Sequence, residues 1–490
     1  MRWGFGMDEQ LLKRKTFSGI IWKFLERFCA QGISLIVSII LARLLSPEDY
    51  APISIITIFF AFANIFISGG LNTALMQKKD ADKQDYSTVF TFSIIVSIFI
   101  YVLLFFLSPQ IALLYKQPIL INLFRVMGVI LIINAIKSVL CAYISSKLQF
   151  KKFFFSTLGG TAISAIVGII MASRGYGAWA LVFQQLTNST IDTIILFITT
   201  GERFEIFLSK KKFKSLFGYG SKMFAASFVS TLYDEISPLV IGLKFSASDL
   251  ACYEKGRSFP SLINSAFNDS ISAVIFPAMS KVQDRKEMVL AFTRRFMTLS
   301  SYLIFPIMIG FFCVSDNFIT SILSNNWIGA SAYIKIFCVC FLFNIIQNGN
   351  LQAIKAIGRS DIVLKLEVIK KSLYFIVLLT TILFSNSPIY IAGAAIINTV
   401  IATIINTYPN RKLIGYSYKM QFCDLFSNLV TAIVMGMVVY FVGKYLYIDS
   451  SFVLLIIQVL VGFIVYIVFS LISKNKNLKY LINLLMQLFL

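Results

Sequence analysis

No histidine occurs among the 490 residues. That removes the commonest metal ligand and the one side chain whose ordinary pKa suits proton exchange at neutral pH. Acids are scarce as well, 23 Asp and Glu against 44 Lys and Arg, which leaves a formal charge of +21. Charged residues of both signs make up only 14%, against about 25% in an ordinary soluble protein. The seven cysteines (Cys29, Cys141, Cys252, Cys313, Cys338, Cys340 and Cys423) fall mostly within apolar runs. Cys338 and Cys340 point about 200° apart around a helix, so neither a disulfide framework nor a zinc site is expected. A cleavable signal peptide is not expected either, because Met1 to Thr16 is polar and basic and no small-residue cleavage site follows.

What is present is apolar. Hydrophobic residues make up 58%, phenylalanine alone numbers 48, and the mean hydropathy is +0.80. Apolar stretches of about twenty residues follow one another almost without pause, which is the pattern of membrane-crossing helices. The segmentation predicts fourteen spans, the first near 18–42 and the last near 451–472. Alternate connections hold 31 and 5 Lys or Arg. That bias predicts both termini in the cytoplasm and an even number of spans. The net positive charge is therefore read as topology and attraction to anionic lipid, with no nucleic-acid partner.

The chain repeats itself. "SPEDYA" at Ser46–Ala51 returns as "SASDLA" at Ser246–Ala251, displaced by 200, and "IIN" ending at Asn134 returns as "LFN" ending at Asn344, displaced by 210. "GYGAWA" before the sixth span corresponds to "NSPIYI" before the twelfth. Six spans per copy leave both copies in the same orientation. The expected fold is an all-α polytopic membrane protein of two parallel six-helix lobes around a central cavity. The expected boundaries are 1–205, 206–412 and a tail at 413–490 with two further, peripheral spans. A linker, "GERFEIFLSKKKFK", joins the copies. Ser46-x-x-Asp49 and Ser246-x-x-Asp249 read as capping boxes, with Pro47 suited to a first helical position.

Several charges lie inside spans, where each costs roughly 2.5–3.5 kcal/mol by insertion scales. Lys23, Glu26 and Arg27 are spaced i, i+3, i+4 and share one helix face. Counted from the start of the first span, Arg27 is placed about 13 Å deep, near the midplane. Lys23 either snorkels to the interface or pairs with Glu26. "YEKGR" puts Glu254, Lys255 and Arg257 in the eighth span, with Lys255 either in a binding site or at the outer interface. Arg125 and Lys137 in the fourth span either meet substrate or brace helices, and Lys335 reads as interfacial. Asp192, Asp234, Glu235 and Asp269 are the acids within spans, suited to a coupling cation or to neutralising the arginines. Pro238, Pro260, Pro277 and Pro306 interrupt the seventh to ninth spans, as kinks or as bending points.

The stretches "WKFLERFCAQGISLIVSIILARLLSPEDYA", "SGGLNTALMQKKD", "DYSTVF", "LFRVMGVILIINAI", "FGYGSKMF", "FPAMSKVQD" and "KAIGRSDIVLKLEVIKK" run in order from about residue 13 to 415. Together they resemble the WzxC/TuaB-like polysaccharide flippases, in the superfamily that also holds the MATE drug exporters and the lipid II flippase. The resemblance implies a V-shaped, two-lobed bundle in the bacterial cytoplasmic membrane. It implies movement of an undecaprenyl-pyrophosphate-linked oligosaccharide from the inner to the outer leaflet by alternating access, with H+ or Na+ as a possible coupling ion and no other cofactor. Implied partners are the lipid-linked oligosaccharide, membrane lipid, and the polysaccharide polymerase and chain-length machinery. The cationic candidates for the pyrophosphate are then Arg27, Lys23, Arg257, Lys255, Arg125 and Lys137, with Glu26, Asp192, Asp234, Glu235, Glu254 and Asp269 as coupling or neutralising acids. The departure is "YDEISP": relatives often have neutral polar residues where this chain has Asp234 and Glu235.

Two rivals are weighed. An enzyme such as a membrane glycosyltransferase or polymerase usually needs an extramembrane site, and no connection exceeds about twenty residues. "DAD" at Asp80–Asp82 mimics a metal-binding motif but sits in a short charged loop. A cation or drug antiporter would favour an acid-lined cavity, whereas the candidates here include arginines. The topology is tested by cysteine-accessibility labelling, which is expected to find Lys211 and Arg359 inside, and Ser108 and Asn325 outside. Reversed labelling of either pair would overturn the repeat.

Overall fold

The computed structural model describes residues 7–479 apart from 69, 79, 80, 148, 281, 474 and 476. The described residues form sixteen α-helices and no strand: α1 (Met7–Leu44), α2 (Pro47–Ser68), α3 (Leu71–Gln77), α4 (Lys83–Leu114), α5 (Leu120–Met127), α6 (Val129–Ser146), α7 (Lys151–Ser173), α8 (Ala178–Thr200), α9 (Lys210–Lys244), α10 (Ala247–Ser280), α11 (Lys286–Phe318), α12 (Ala330–Ala356), α13 (Ser360–Phe384), α14 (Pro388–Leu413), α15 (Tyr418–Tyr445) and α16 (Ser451–Ile472). Helix dominates because hydrocarbon offers no partner to a backbone N–H or C=O, and a helix satisfies both within itself. Among the described residues, 11 helical segments are long and apolar enough to cross a membrane. The long helices α9, α10 and α13 fall outside that group. Each carries a cluster of charge, such as Asp234 and Glu235, Glu254 to Arg257, and Lys365 to Lys371. The expectation of fourteen spans thus rests on these three having their charges covered by protein or water.

Two expected spans are broken by glycine. The stretch read as 50–76 divides into α2 and α3 at Gly70, which adopts φ 65°, a conformation open to glycine at little cost. A Cβ there would collide with the Gly220 carbonyl of α9. The fourth span divides at Gly128, where a Cβ would come 2.6 Å from the Tyr101 ring. Both predicted capping boxes form. Asp49 N–H donates to Ser46 Oγ (3.3 Å) while Ser46 N–H donates to Asp49 Oδ2 (2.9 Å). The second copy matches, with Asp249 N–H to Ser246 Oγ at 3.0 Å and Ser246 N–H to Asp249 Oδ2 at 3.2 Å.

The chain divides into two compact units, Met1–Ala251 and Cys252–Leu490. In the first, α1 packs on α7, and α7 on α8. Helix α9, which the repeat counts as the opening helix of the second copy, packs on α2, α3 and α4 of the first unit. In the second unit, α11 packs on α12, α15 and α16. The last two helices are integral rather than peripheral. Arg294 clasps Asp424 through Nε (2.8 Å) and Nη2 (2.7 Å), Asn317 Nδ2 donates to Gln458 Oε1 (2.8 Å), and Tyr466 OH donates to the Tyr302 carbonyl (2.7 Å). Such bonds keep polar groups on a largely apolar helix out of lipid.

One of the expected labelling sites needs replacing. Ser108 is fully buried within α4, and Lys116, exposed in the following turn, reports the same connection. The matching caps make a stability prediction: Ser46→Ala and Ser246→Ala should each cost about 1 kcal/mol in thermal unfolding.

Candidate functional site

Helix α1 carries the first cluster. Its lower part is seated on α7 by Trp22, whose ring lies 5.3 Å from Phe154 and 6.2 Å from Phe155, with the Lys151 ammonium 5.3 Å from the Trp22 ring. One turn on, Thr157 Oγ1 of α7 donates to Glu26 Oε1 at 3.2 Å. Arg27, the next residue, is exposed on the surface of the unit. The side chains of Lys23 and Asp269 lie outside the described residues.

A polar knot lies inside the first unit, between α2, α6, α7 and α8. Lys137 Nζ of α6 pairs with Asp192 Oδ2 of α8 at 2.5 Å, the carboxylate side chain only 7% exposed. The other carboxylate oxygen, Oδ1, is buried with no hydrogen-bond partner. Helix α7 comes close over the pair at Gly160, where a Cβ would lie 2.8 Å from Asn188 Oδ1 and 3.1 Å from the Asp192 Cβ. Beside it, Asn134 Nδ2 donates to Asn64 Oδ1 (3.2 Å) and Ser189 Oγ donates to Asn134 Oδ1 (2.7 Å).

The second unit repeats part of this knot. Asn264 Nδ2 of α10 donates to Asn344 Oδ1 of α12 at 3.4 Å. Asn264 and Asn344 stand 200 and 210 residues after Asn64 and Asn134, the displacements of the sequence repeat. The Asn64–Asn264 correspondence was legible from the spacing of "SPEDYA" and "SASDLA", but the reading by charge passed over neutral amides. The ion pair is not repeated. At the positions of Lys137 and Asn188 the second copy has Gln347 and Thr399, and Gln347 Nε2 donates to the Thr399 carbonyl (3.2 Å).

The other candidates disperse. Lys255 is 7% exposed, its ammonium 5.7 Å from the Trp327 ring and 5.8 Å from Phe259, an arrangement that favours a desolvated cation. Its neighbour Gly256 meets the start of α12, with a Cβ there 2.7 Å from the Ala330 carbonyl oxygen. Glu254 and Arg257 are half-buried on the same helix. The Arg125 guanidinium lies 4.3 Å from the Phe105 ring centroid, and the Tyr101 hydroxyl donates to the Arg125 carbonyl (3.2 Å). In α9, Asp234 is exposed and Glu235 half-buried. Lys335 pairs with Asp316 at 2.7 Å. Among the described residues no group of three or more Cys, Asp or Glu could hold a metal ion.

Residues 40–332 match the profile of the family described as polysaccharide biosynthesis protein. The chain belongs to this family. It is 24% identical over 503 aligned positions to an uncharacterized membrane protein in the cps region of Klebsiella pneumoniae, covering 98% of this chain and 99% of the relative. It is 23% identical to the teichuronic acid biosynthesis protein TuaB of Bacillus subtilis, covering 86% of each. The fold is that of the lipid II flippase MurJ in its inward closed conformation, with a TM-score of 0.76 over 94% of this chain and 99% of that one, at 17% identity. The family member thus has a transporter's architecture.

The knot predicts asymmetric mutational costs. Lys137→Ala leaves the Asp192 carboxylate stranded and should cost about 3 kcal/mol, whereas Lys137→Met combined with Asp192→Leu should be close to neutral. Thermal unfolding of the purified variants checks this, and a double variant as unstable as the single would show that the pair does not act as a unit.

Proposed function

We propose that the chain is a flippase, moving an undecaprenyl-pyrophosphate-linked oligosaccharide for a cell-surface polysaccharide from the inner to the outer leaflet of a bacterial cytoplasmic membrane. The observation that carries the reading is the family match together with likeness over nearly the whole chain, both to a cps-region membrane protein and to the MurJ fold. Both termini lie in the cytoplasm in this reading, and alternating access of two repeat-related lobes carries the movement.

The intramembrane charges support it chemically. Arg27 is exposed on the helix of the first span. A planar fork of N–H donors there suits a pyrophosphate better than a point charge does. Arg257 offers the same chemistry from the second unit. Lys137, Lys255 and Arg125 are engaged by Asp192, aromatic rings and Phe105 respectively, and serve as braces. Coupling by H+ or Na+ would fall to an acid within the spans, Asp234 and Glu235 among them. A polymerase and chain-length machinery would take the delivered precursor. A drug antiporter would place carboxylates where this chain places Arg27 and Arg257.

Arg27→Ala should abolish complementation of a flippase-deficient strain while the protein still inserts and accumulates. Arg27→Lys should rescue partly, because an ammonium lacks the bidentate fork. Wild-type transport by both variants would remove Arg27 from the site.

A further inference from the structure

The segment joining α8 to α9 does more than connect them. Residues 201–209 run without helix along the first turns of α4. Three of their backbone N–H groups are taken up by α4 hydroxyls: Glu205 N–H by Ser87 Oγ (3.2 Å), Phe207 N–H by Thr91 Oγ1 (2.9 Å) and Ser209 N–H by Thr88 Oγ1 (3.4 Å). Phe204 stacks on Tyr86 with centroids 5.7 Å apart, Tyr143 OH donates to Glu202 Oε1 (2.7 Å), and Lys83 pairs with Glu205 (2.8 Å). Where α9 begins, Lys212 pairs with Asp82 at 2.5 Å and lies 3.7 Å from Asp85. Those two acids are the capping box of α4. Leu216 and Phe213 complete the seat, Leu216 buried among Leu71, Leu75, Tyr86 and Val89, and Phe213 against Phe92 at 4.8 Å.

We propose that residues 201–212 are a releasable latch, which clamps the first turns of α9 to α4 and α3 in this state and lets go during transport. The inference rests on the flippase reading for the word transport; the latch itself rests on the contacts. Two features separate it from a permanent brace. Its outer ion pair is exposed, Lys83 at 55% and Glu205 at 74%, so that pair contributes little and is screened by salt. Release also strands no charge. Asp85 is fully buried, yet Lys78 holds it at 2.7 Å, so its carboxylate keeps a cation when Lys212 departs. That matters because removing the sole partner of a buried carboxylate would make opening prohibitive.

Salt rather than pH is the lever. The Lys212 ammonium and the capping bonds hold the Asp82 carboxyl down to about 2. An acid depressed in this way contributes above its unfolded value and loses that contribution only as pH falls toward 2. Glu205 is likewise held low by Lys83, so Asp82 and Glu205 stay ionised at any working pH.

Two measurements decide. Hydrogen exchange on the purified protein in nanodiscs reads the amides of Glu205, Phe207 and Ser209. Lys212→Ala, or raised salt on the wild type, should speed their exchange about tenfold and leave the middle of α8 unchanged. Exchange as slow in the variant as in the wild type would overturn the latch. Separately, Asp82→Cys with Lys212→Cys, in a background with Cys29, Cys141 and Cys423 replaced by serine, is bridged in vesicles with a short bis-methanethiosulfonate cross-linker, which spans the length of the lost lysine stem. Cross-linking should stop delivery of lipid-linked oligosaccharide to the outer leaflet, and reductant should restore it. Delivery at the uncrosslinked rate would show a static brace. If the wild type moves no such substrate, the flippase reading fails, and the exchange measurement alone decides the latch.

Discussion

A polar group surrounded by hydrocarbon has no water to bond with, and nearly every feature of this molecule follows from that constraint. The backbone answers it by becoming helix. The side chains answer it by pairing across helices: Asn64 with Asn134, Lys137 with Asp192, Asn317 with Gln458, Arg294 with Asp424. Where pairing fails, as at the second oxygen of Asp192, the group lies beneath a close helix approach at Gly160, and lipid is kept away by packing instead.

The two copies of the repeat share what stabilises and differ in what is charged. Both have the serine–aspartate cap and both have the bond between asparagines of their second and fourth spans. The first copy carries the buried Lys137–Asp192 pair, while at the position of Lys137 the second has a glutamine bonded to a backbone carbonyl. Packing diverges as well. The opening helix of the first copy lies on α7, whereas the opening helix of the second lies on α2, α3 and α4. A duplicated scaffold has thus kept its caps and its amide bonds and has changed the partners of its charges. The linker is docked on the first turns of α4 rather than loose.

Much of this was legible in the chain alone. Hydropathy located the helices because membrane spans are long and uniform, and the capping boxes could be read because an N-cap bonds within three residues of itself. The repeat was visible at displacements of 200 and 210, and the family likeness followed from motifs in matching order. Glycine breaks at Gly70 and Gly128 were less legible. A glycine is marked in the sequence, but the backbone or ring pressed against it is not.

The sequence by itself determined a membrane-spanning helical chain of two related copies, and which helix face each charge occupies. Tertiary structure alone decided the partner of each charge. Periodicity gives an angle around one helix, whereas a salt bridge depends on which second helix lies opposite and at what height. Lys137 and Asp192 therefore read as two separate candidates and turned out to be one pair, Lys255 read as a cation for substrate or interface and lies against Trp327, and Lys212 of the linker read as topology and grips the cap of α4.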